Sequence, residues 1–187
     1  RKFLVGIGGS ATNDAGTGML SALGVRFLDS SGQRLKGCGR DLESIARIDM
    51  SSLMPAARES EFIVACDVNT PFCGPDGAAR VFAPQKGADP QTAEALDLGM
   101  RSFAQVIAEQ FQTDIVPLSG AGAAGGLGGA FKAFLNARLT AVIEMVLDAI
   151  AFDSLLEGAS LVITGEGRID AQTAAPEEMP TRTPSAR

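Results

Sequence analysis

The sequence predicts an α/β fold, a mixed sheet covered by helices, on three observations. Phe62-Ile63-Val64-Ala65-Cys66 is a continuous apolar run of strand length, as expected where both faces of a sheet are covered. Ala93, Leu96, Met100, Phe103, Ile107 and Phe111 recur at three- and four-residue steps, which is one long amphipathic helix. Three apolar runs, at residues 3–7, 62–66 and 161–164, each end in a loop of glycines and small polar or acidic side chains. Repeated delivery of loops from strand ends predicts one shared cleft, because open α/β sheets bind ligands at the C-terminal ends of their strands.

Taken in order, Phe3, Leu4, Val5 and Ile7 read as a short buried strand, and Gly6, Gly8 and Gly9 let the backbone turn sharply near a ligand. Asn13 or Asp14 is placed to cap a helix through Met19, Leu20 and Leu23 that Gly24 stops. Residues 25–29 alternate like a strand, Ser30-Ser31-Gly32 turns it, and Asp41 caps a short turn before a strand at 47–50. After the 62–66 strand, Gly74-Pro75-Asp76-Gly77 turns into an apolar stretch ending at Phe82, and Pro84-Gln85-Lys86-Gly87 forms a loop. Asp89-Pro90 starts the long helix. A glycine-rich stretch at 119–129 then runs into a helix through Phe131, Phe134 and Leu135. A helix over 143–150, a short helix capped by Asp153 and ended by Gly158, and a buried strand at 161–164 complete the predicted elements.

At 187 residues, the chain suits one well-buried domain. Its net charge of −6, with no basic cluster, argues against a nucleic-acid surface. There is no histidine, which removes a Ser-His-Asp triad and any imidazole base. Cys38, Cys66 and Cys73 form no CxxC pair, and this odd count predicts a reducing cytoplasm. The longest uncharged run, residues 115–131, contains six glycines and falls short of the roughly 20 apolar residues a membrane span needs. The opening Arg1-Lys2 directly before a strand reads as a cut from something longer. Residues 174–187 lose all hydrophobic periodicity and are expected to be an atypical, disordered tail after a domain spanning 1–173.

Several groups could carry chemistry. Gly6-x-Gly8-x-x-Ala11 fits a relaxed dinucleotide fingerprint with Asp29 near ribose distance, so a nicotinamide oxidoreductase is the main rival reading. Against it, Asn13 and Asp14 would set a carboxylate beside the pyrophosphate, the helix that follows is short, and no hydride-transfer site is evident. Gly120-x-Gly122-x-x-Gly125 is read as backbone amides around phosphate oxygens rather than as helix packing, given six glycines in ten positions. Lys86 stands where an ammonium could meet a phosphate. Asp14, Asp67, Glu166 and Asp170 each follow an apolar run or a glycine turn. One can take a hydroxyl proton and others can hold Mg²⁺ with phosphate oxygens.

Read together, these loops resemble the type I glycerate kinase family. The resemblance rests on Gly8-Gly9-Ser10-Ala11-Thr12-Asn13-Asp14, on Cys66-Asp67-Val68-Asn69 with Pro71, Gly74, Gly77-Ala78-Ala79, Phe82 and Pro84-Gln85-Lys86-Gly87-Ala88, on residues 120–128, and on Thr164-Gly165-Glu166-Gly167-Arg168-Ile169-Asp170 with Gln172-Thr173. All four blocks occur in order. Departures are Ala15, Thr17 and Ala141-Val142, and the absence after Thr173 of the family's Gly-Lys-x-Pro segment.

The resemblance implies ATP-dependent phosphorylation of D-glycerate, to the 2-phosphate, with ATP and Mg²⁺ as cofactors. It implies a two-domain enzyme about twice as long, of which this chain is mainly the second α/β domain, with a Rossmann-like domain as its missing intramolecular partner. On it, Asp67, Lys86 and Asp170 are the catalytic candidates and Asp14 and Glu166 the metal candidates, although the carboxylate roles are interchangeable. Gly8, Gly9, Ser10, Thr12, Asn13, Asn69, Gln85, Gly120, Gly122, Gly125 and Gly126 are the substrate- or phosphate-binding candidates. The alternatives are the nicotinamide enzyme and a truncated domain that binds without turning over.

Overall fold

The structure, a computed structural model, describes residues 1–66, 69–161 and 163. It divides into two compact units, Arg1–Ile150 and Ala151–Arg187. The first holds a parallel three-stranded sheet in the order β1-β4-β5, built from β1 (Lys2–Gly6), β4 (Glu61–Ala65) and β5 (Arg138–Thr140). Register runs Phe3 to Phe62 and Val5 to Val64 on one side of β4, and Val64 to Leu139 on the other. A separate antiparallel pair joins β2 (Arg26–Leu28) to β3 (Arg47–Asp49). This is the α/β class that the apolar runs predict, with parallel and antiparallel pairings divided between two sheets.

Helices α1 to α5 support the loops that matter. The first, α1 (Thr17–Ala22), starts at Gly16 rather than at Asn13 or Asp14. Asp14 nonetheless closes its first turn, because its two carboxylate oxygens accept the Gly16 and Gly18 amides at 3.0 Å each. After the 3₁₀ turn Gly39–Ser44 and the short α2 (Pro55–Arg58), α3 (Ala78–Phe82) leads into a 3₁₀ turn at Pro84–Lys86 that ends on Gly87 in the left-handed region. Cys38, not Asp41, precedes the first 3₁₀ turn, and Asp41 instead accepts the Gly37 amide.

The long helix α4 (Pro90–Phe111) is as predicted, with the Asp89 carboxylate accepting from the Thr92 amide at 2.7 Å. Met100, Phe103 and Ile107 on its apolar stripe are fully buried. Phe103 meets Phe27 of β2 edge to face and stacks near Phe134 of α5 (Ala123–Leu135). Each aromatic ring so buried contributes roughly 1.5–3 kcal/mol, so α4 packs the β2-β3 pair against α5, and α5 reaches the parallel sheet through Phe131 on Phe62 of β4.

Two expected strands differ from expectation. The 3–7 strand forms, but Phe3 and Leu4 are 42% and 62% exposed, because β1 is an edge strand and only Ile7 at its end is buried. Leu161 and Ile163 belong to no described strand and are 76% and 87% exposed, not buried as expected; Val162 and Thr164 of the same expected strand lie outside the described residues. The third strand of the parallel sheet is instead β5, which follows α5 after a turn at Asn136. The helix α6 (Val142–Ala149) forms near the expected 143–150 but buries none of its residues. In the second unit, α7 (Phe152–Leu155) is preceded by Ala151, and Asp153 sits inside its first turn rather than at its cap. The expected tail at 174–187 lies outside the described residues.

Candidate functional site

Two parallel strands end side by side, and their exits make a pocket. Ile7 still donates its amide to the Ala65 carbonyl, after which the chains diverge into Gly8-Gly9-Ser10 and toward Cys66. The cavity between them, about 240 Å³, is lined by Ile7, Gly8, Gly9, Ser10, Ala65, Cys66, Phe82, Gln85, Lys86, Ala123, Ala124 and Val142. One wall is apolar, and the other carries Lys86, Gln85, the Ser10 hydroxyl and bare glycine backbone. A Cβ at Gly8 or Gly9 would meet nothing within 4 Å, so these glycines face open space.

Lys86 is fixed across this opening. Its ammonium donates to Ser10 Oγ at 3.1 Å and to the Thr12 carbonyl oxygen, which joins the 3₁₀ turn after α3 to the loop after β1. Partial burial pushes its amine below the ordinary lysine value, and the Asp14 charge nearby pulls it partly back. The result is a cation with less water around it than a surface lysine, held where an anion entering between the strand ends would meet it.

Opposite Lys86, the loops at 9–16 and 120–126 cross. Ala15 and Gly16 have φ of 52° and 74°, while Ala124, Gly125 and Gly126 have φ of 54°, 71° and 94°, so α5 begins in a left-handed stretch. The Ala15 amide donates to the Gly125 carbonyl at 2.9 Å. A Cβ on Gly125 would lie 2.3 Å from the Thr12 oxygen, and one on Gly122 would lie 2.1 Å from the Pro71 oxygen. Amides of this stretch are also taken internally: Gly122 donates to Thr70, Ala123 to Gly120 and Gly126 to Gly122. Close backbone packing, the reading given less weight from sequence, therefore accounts for Gly122, Gly125 and Gly126. Left-handed alanines such as Ala124 cost of order 1–3 kcal/mol and gather where the surroundings enforce them, here on the pocket wall.

The structure thus brings Gly8, Gly9, Ser10, Gln85 and Lys86 together, with Thr12 joined through its carbonyl. It does not place Asn13, Asp14, Asn69, Gly120, Gly122, Gly125 or Gly126 on the pocket lining. Asn69 is turned to Ser119, whose Oγ donates to Asn69 Oδ1 at 2.6 Å. Asp67, Glu166 and Asp170 lie outside the described residues. Sequence reasoning missed Cys66, Phe82, Ala124 and Val142 as lining, although Cys66 and Phe82 both close apolar runs beside predicted loops. Asp29, offered as a ribose ligand, is used within its own turn, accepting from the Ser31 amide and hydroxyl and from the Gln33 amide.

A buried charge stands behind the pocket. Asp97 of α4 is fully buried; its Oδ1 accepts the Gly74 amide at 2.7 Å, and its Oδ2 faces Arg101 at 3.2 Å and Arg80 of α3 at 3.6 Å. It ties the loop after β4, and the helix that leads to Phe82 and Lys86, to the core. Beside it, burial raises the Cys73 thiol above its ordinary value, and the Asp97 charge adds to the effect. Cys73 is therefore expected to be the slowest of the three cysteines in thiol labelling followed by mass spectrometry, behind the half-buried Cys38 and Cys66. A Cys73 rate equal to theirs would show that the loop opens freely.

Among the described residues no group of three or more acidic or cysteine side chains could hold a metal ion, and no helix is long and apolar enough to cross a membrane. Comparison with known proteins agrees on one relationship. Glycerate kinase from Bacillus subtilis is 46% identical over 172 residues, and glycerate 2-kinase from Escherichia coli is 44% identical over 171. These alignments take in 92% and 91% of this chain but 45% of each relative, so the chain spans about half their length. A crystal structure from Salmonella typhimurium LT2, assigned as glycerate kinase 2, superposes with a TM-score of 0.81 at 48% identity, over 92% of this chain and 46% of that one. A sequence model of the glycerate kinase family matches residues 1–179, and the chain belongs to that family.

Proposed function

We propose that this chain is the acceptor-binding part of a kinase that moves the terminal phosphoryl group of ATP to the 2-hydroxyl of D-glycerate. The observation that carries the reading is the Lys86 ammonium held at Ser10 and Thr12 across the ends of two parallel strands, in a cavity of about 240 Å³. That volume lies below the roughly 300–1,000 Å³ of pockets for drug-sized ligands, which suits a three-carbon acid or a terminal phosphate. The rest of the nucleotide would lie outside it, and the relatives' names support the acceptor.

In this reading, Lys86 neutralises charge on the transferred group or the glycerate carboxylate, and the uncovered backbone at Gly8 and Gly9 lets the anion approach closely. Catalysis is then positioning and charge neutralisation rather than covalent chemistry. Asp67 is proposed as the base, Asp170 as a second catalytic carboxylate, and Glu166 with Asp14 as the Mg²⁺ ligands. The described residues alone do not make a magnesium site, because Asp14 has no second acidic partner among them; its two oxygens each accept one α1 amide and keep a lone pair for a metal. No step is therefore assigned to the metal. The Rossmann-like domain of a longer enzyme would close the cleft, and residues 1–173 would form one domain.

Lys86→Met tests the proposal. In an enzyme of relative length carrying this domain, glycerate-dependent ADP release is expected to fall about 100-fold, the usual loss for one preorganised charge-stabilising donor, with the melting temperature nearly unchanged. In the 187-residue chain, phosphate affinity at the pocket should fall as pH rises through the Lys86 value, which lies below 10.5. The sign follows from the lysine losing its charge, and hence its attraction for an anion, above that value. Unchanged kcat/KM in the variant sinks the assignment of Lys86. If the 187-residue chain is silent where the longer enzyme turns over, the isolated chain is a binding domain with half a cleft.

A further inference from the structure

We propose that a second cavity, between α5 and β5, binds a phosphate group through Lys132 and Arg138. This cavity, about 290 Å³, is lined by Leu118, Ser119, Lys132, Asn136, Ala137, Arg138 and Leu139. It shares no residue with the Lys86 pocket. Two cations and no carboxylate line it, on a chain whose net charge is −6. Among the described residues neither Lys132 nor Arg138 enters an ion pair, so no acidic side chain offsets either charge at this opening.

The helix explains only one of the two charges. Lys132 lies in the last turn of α5, where a cation offsets the exposed carbonyl end. Arg138 lies beyond that helix, in β5, and needs another reason to be there. Asn136 between them takes a left-handed conformation with φ of 49°, which turns the chain so that residues 132 and 138 come to one cavity. At the opposite rim, Ser119 gives its one O–H to Asn69 at 2.6 Å, so it shapes the opening and leaves recognition of an anion to the cations. A guanidinium fork, an ammonium and the Asn136 side chain around one opening match the several oxygens and double charge of phosphate better than a single carboxylate. A shallow site of this kind binds weakly and loses affinity with added salt.

Amide chemical shifts of the full 187-residue chain, titrated with inorganic phosphate, with glycerol phosphate and with sodium chloride at matched ionic strength, test this. The expected result is saturable shifts at Ser119, Asn136 and Arg138 with either phosphate compound, retained in Lys86→Met. Lys132→Met with Arg138→Met should weaken that binding by about tenfold or more, as expected when two charge-assisted contacts are lost. If the double variant fails to fold, Arg138→Gln alone at its exposed position reads the same loss. Tighter binding of the ester identifies a phosphorylated small molecule as the occupant, and equal binding identifies free phosphate. Shifts that sodium chloride reproduces, that survive both substitutions, or that never saturate would overturn the proposal.

Discussion

Replacing Asp97 by alanine is expected to lower stability by about 3 kcal/mol, and the melting temperature by about 10 °C, as measured by calorimetry. The argument rests on what the carboxylate holds rather than on its charge alone. Asp97 is fully buried, and it is the partner that the Gly74 amide finds in the core. Removing it strands that amide, which costs roughly 1–3 kcal/mol. It also releases Arg80 and Arg101, whose side chains are 42% and 53% exposed and so recover water. That recovery is why the expected loss sits at the lower end of the roughly 3–5 kcal/mol for breaking a buried ion pair. Asp97→Asn keeps an acceptor for Gly74 and should lose less. A change under about 1 kcal/mol in Asp97→Ala would mean that the loop after β4 is held by something else.

Gly122→Ala is the second large effect, expected to cost about 3 kcal/mol, at the upper end of the range for overpacking. Its backbone has ordinary helical angles, φ −77° and ψ −11°, so conformational freedom is not at issue. The cost is contact: the new methyl would sit 2.1 Å from the Pro71 oxygen and 2.7 Å from the Thr70 oxygen, and these carbonyls are held by the amides of Ala78 and Gly122 respectively. Gly8→Ala is the matched control, because its Cβ enters open space in the pocket. Denaturant midpoints should separate the two variants clearly. Equal stability of Gly122→Ala and wild type would show that the crossing of these loops is looser than drawn.

Elements whose identity follows from local pattern were legible, and elements set by tertiary pairing were not. The stripe along 90–111 carries its own period and its own Asp89 cap, so helix α4 could be read without knowing its neighbours. β4 could be read because the apolar run at 62–66 is of strand length and stops at a turn-forming loop, and Ile63, Val64 and Ala65 of β4 are buried. β5 could not, since Arg138-Leu139-Thr140 has no alternation long enough to detect and is a strand only by its register with Ile63, Val64 and Ala65. Leu161 and Ile163 are exposed for the converse reason: apolar composition alone does not supply a neighbour to cover them.

At the pocket, Gly8, Gly9, Ser10 and Lys86 were readable because glycine turns and a lysine in a loop announce themselves. Composition did not show that the glycines at 122–126 serve backbone packing, because glycine has the same appearance whether a ligand or another chain segment approaches it. Neither could it reveal Asp97, whose position inside α4 resembles any acidic residue on a helix until Gly74 is seen donating to it.

The knot of left-handed residues at Ala15 and Gly125 links stretches more than a hundred positions apart in the chain. Until residue 125 has left the ribosome, the loop at 9–16 lacks this anchor, and a nascent chain stalled short of that point should fail to protect Lys86 from acylation. Such remote closure is slow compared with helix formation, so the loop at 9–16 should take its shape later than the self-contained helix α4 does.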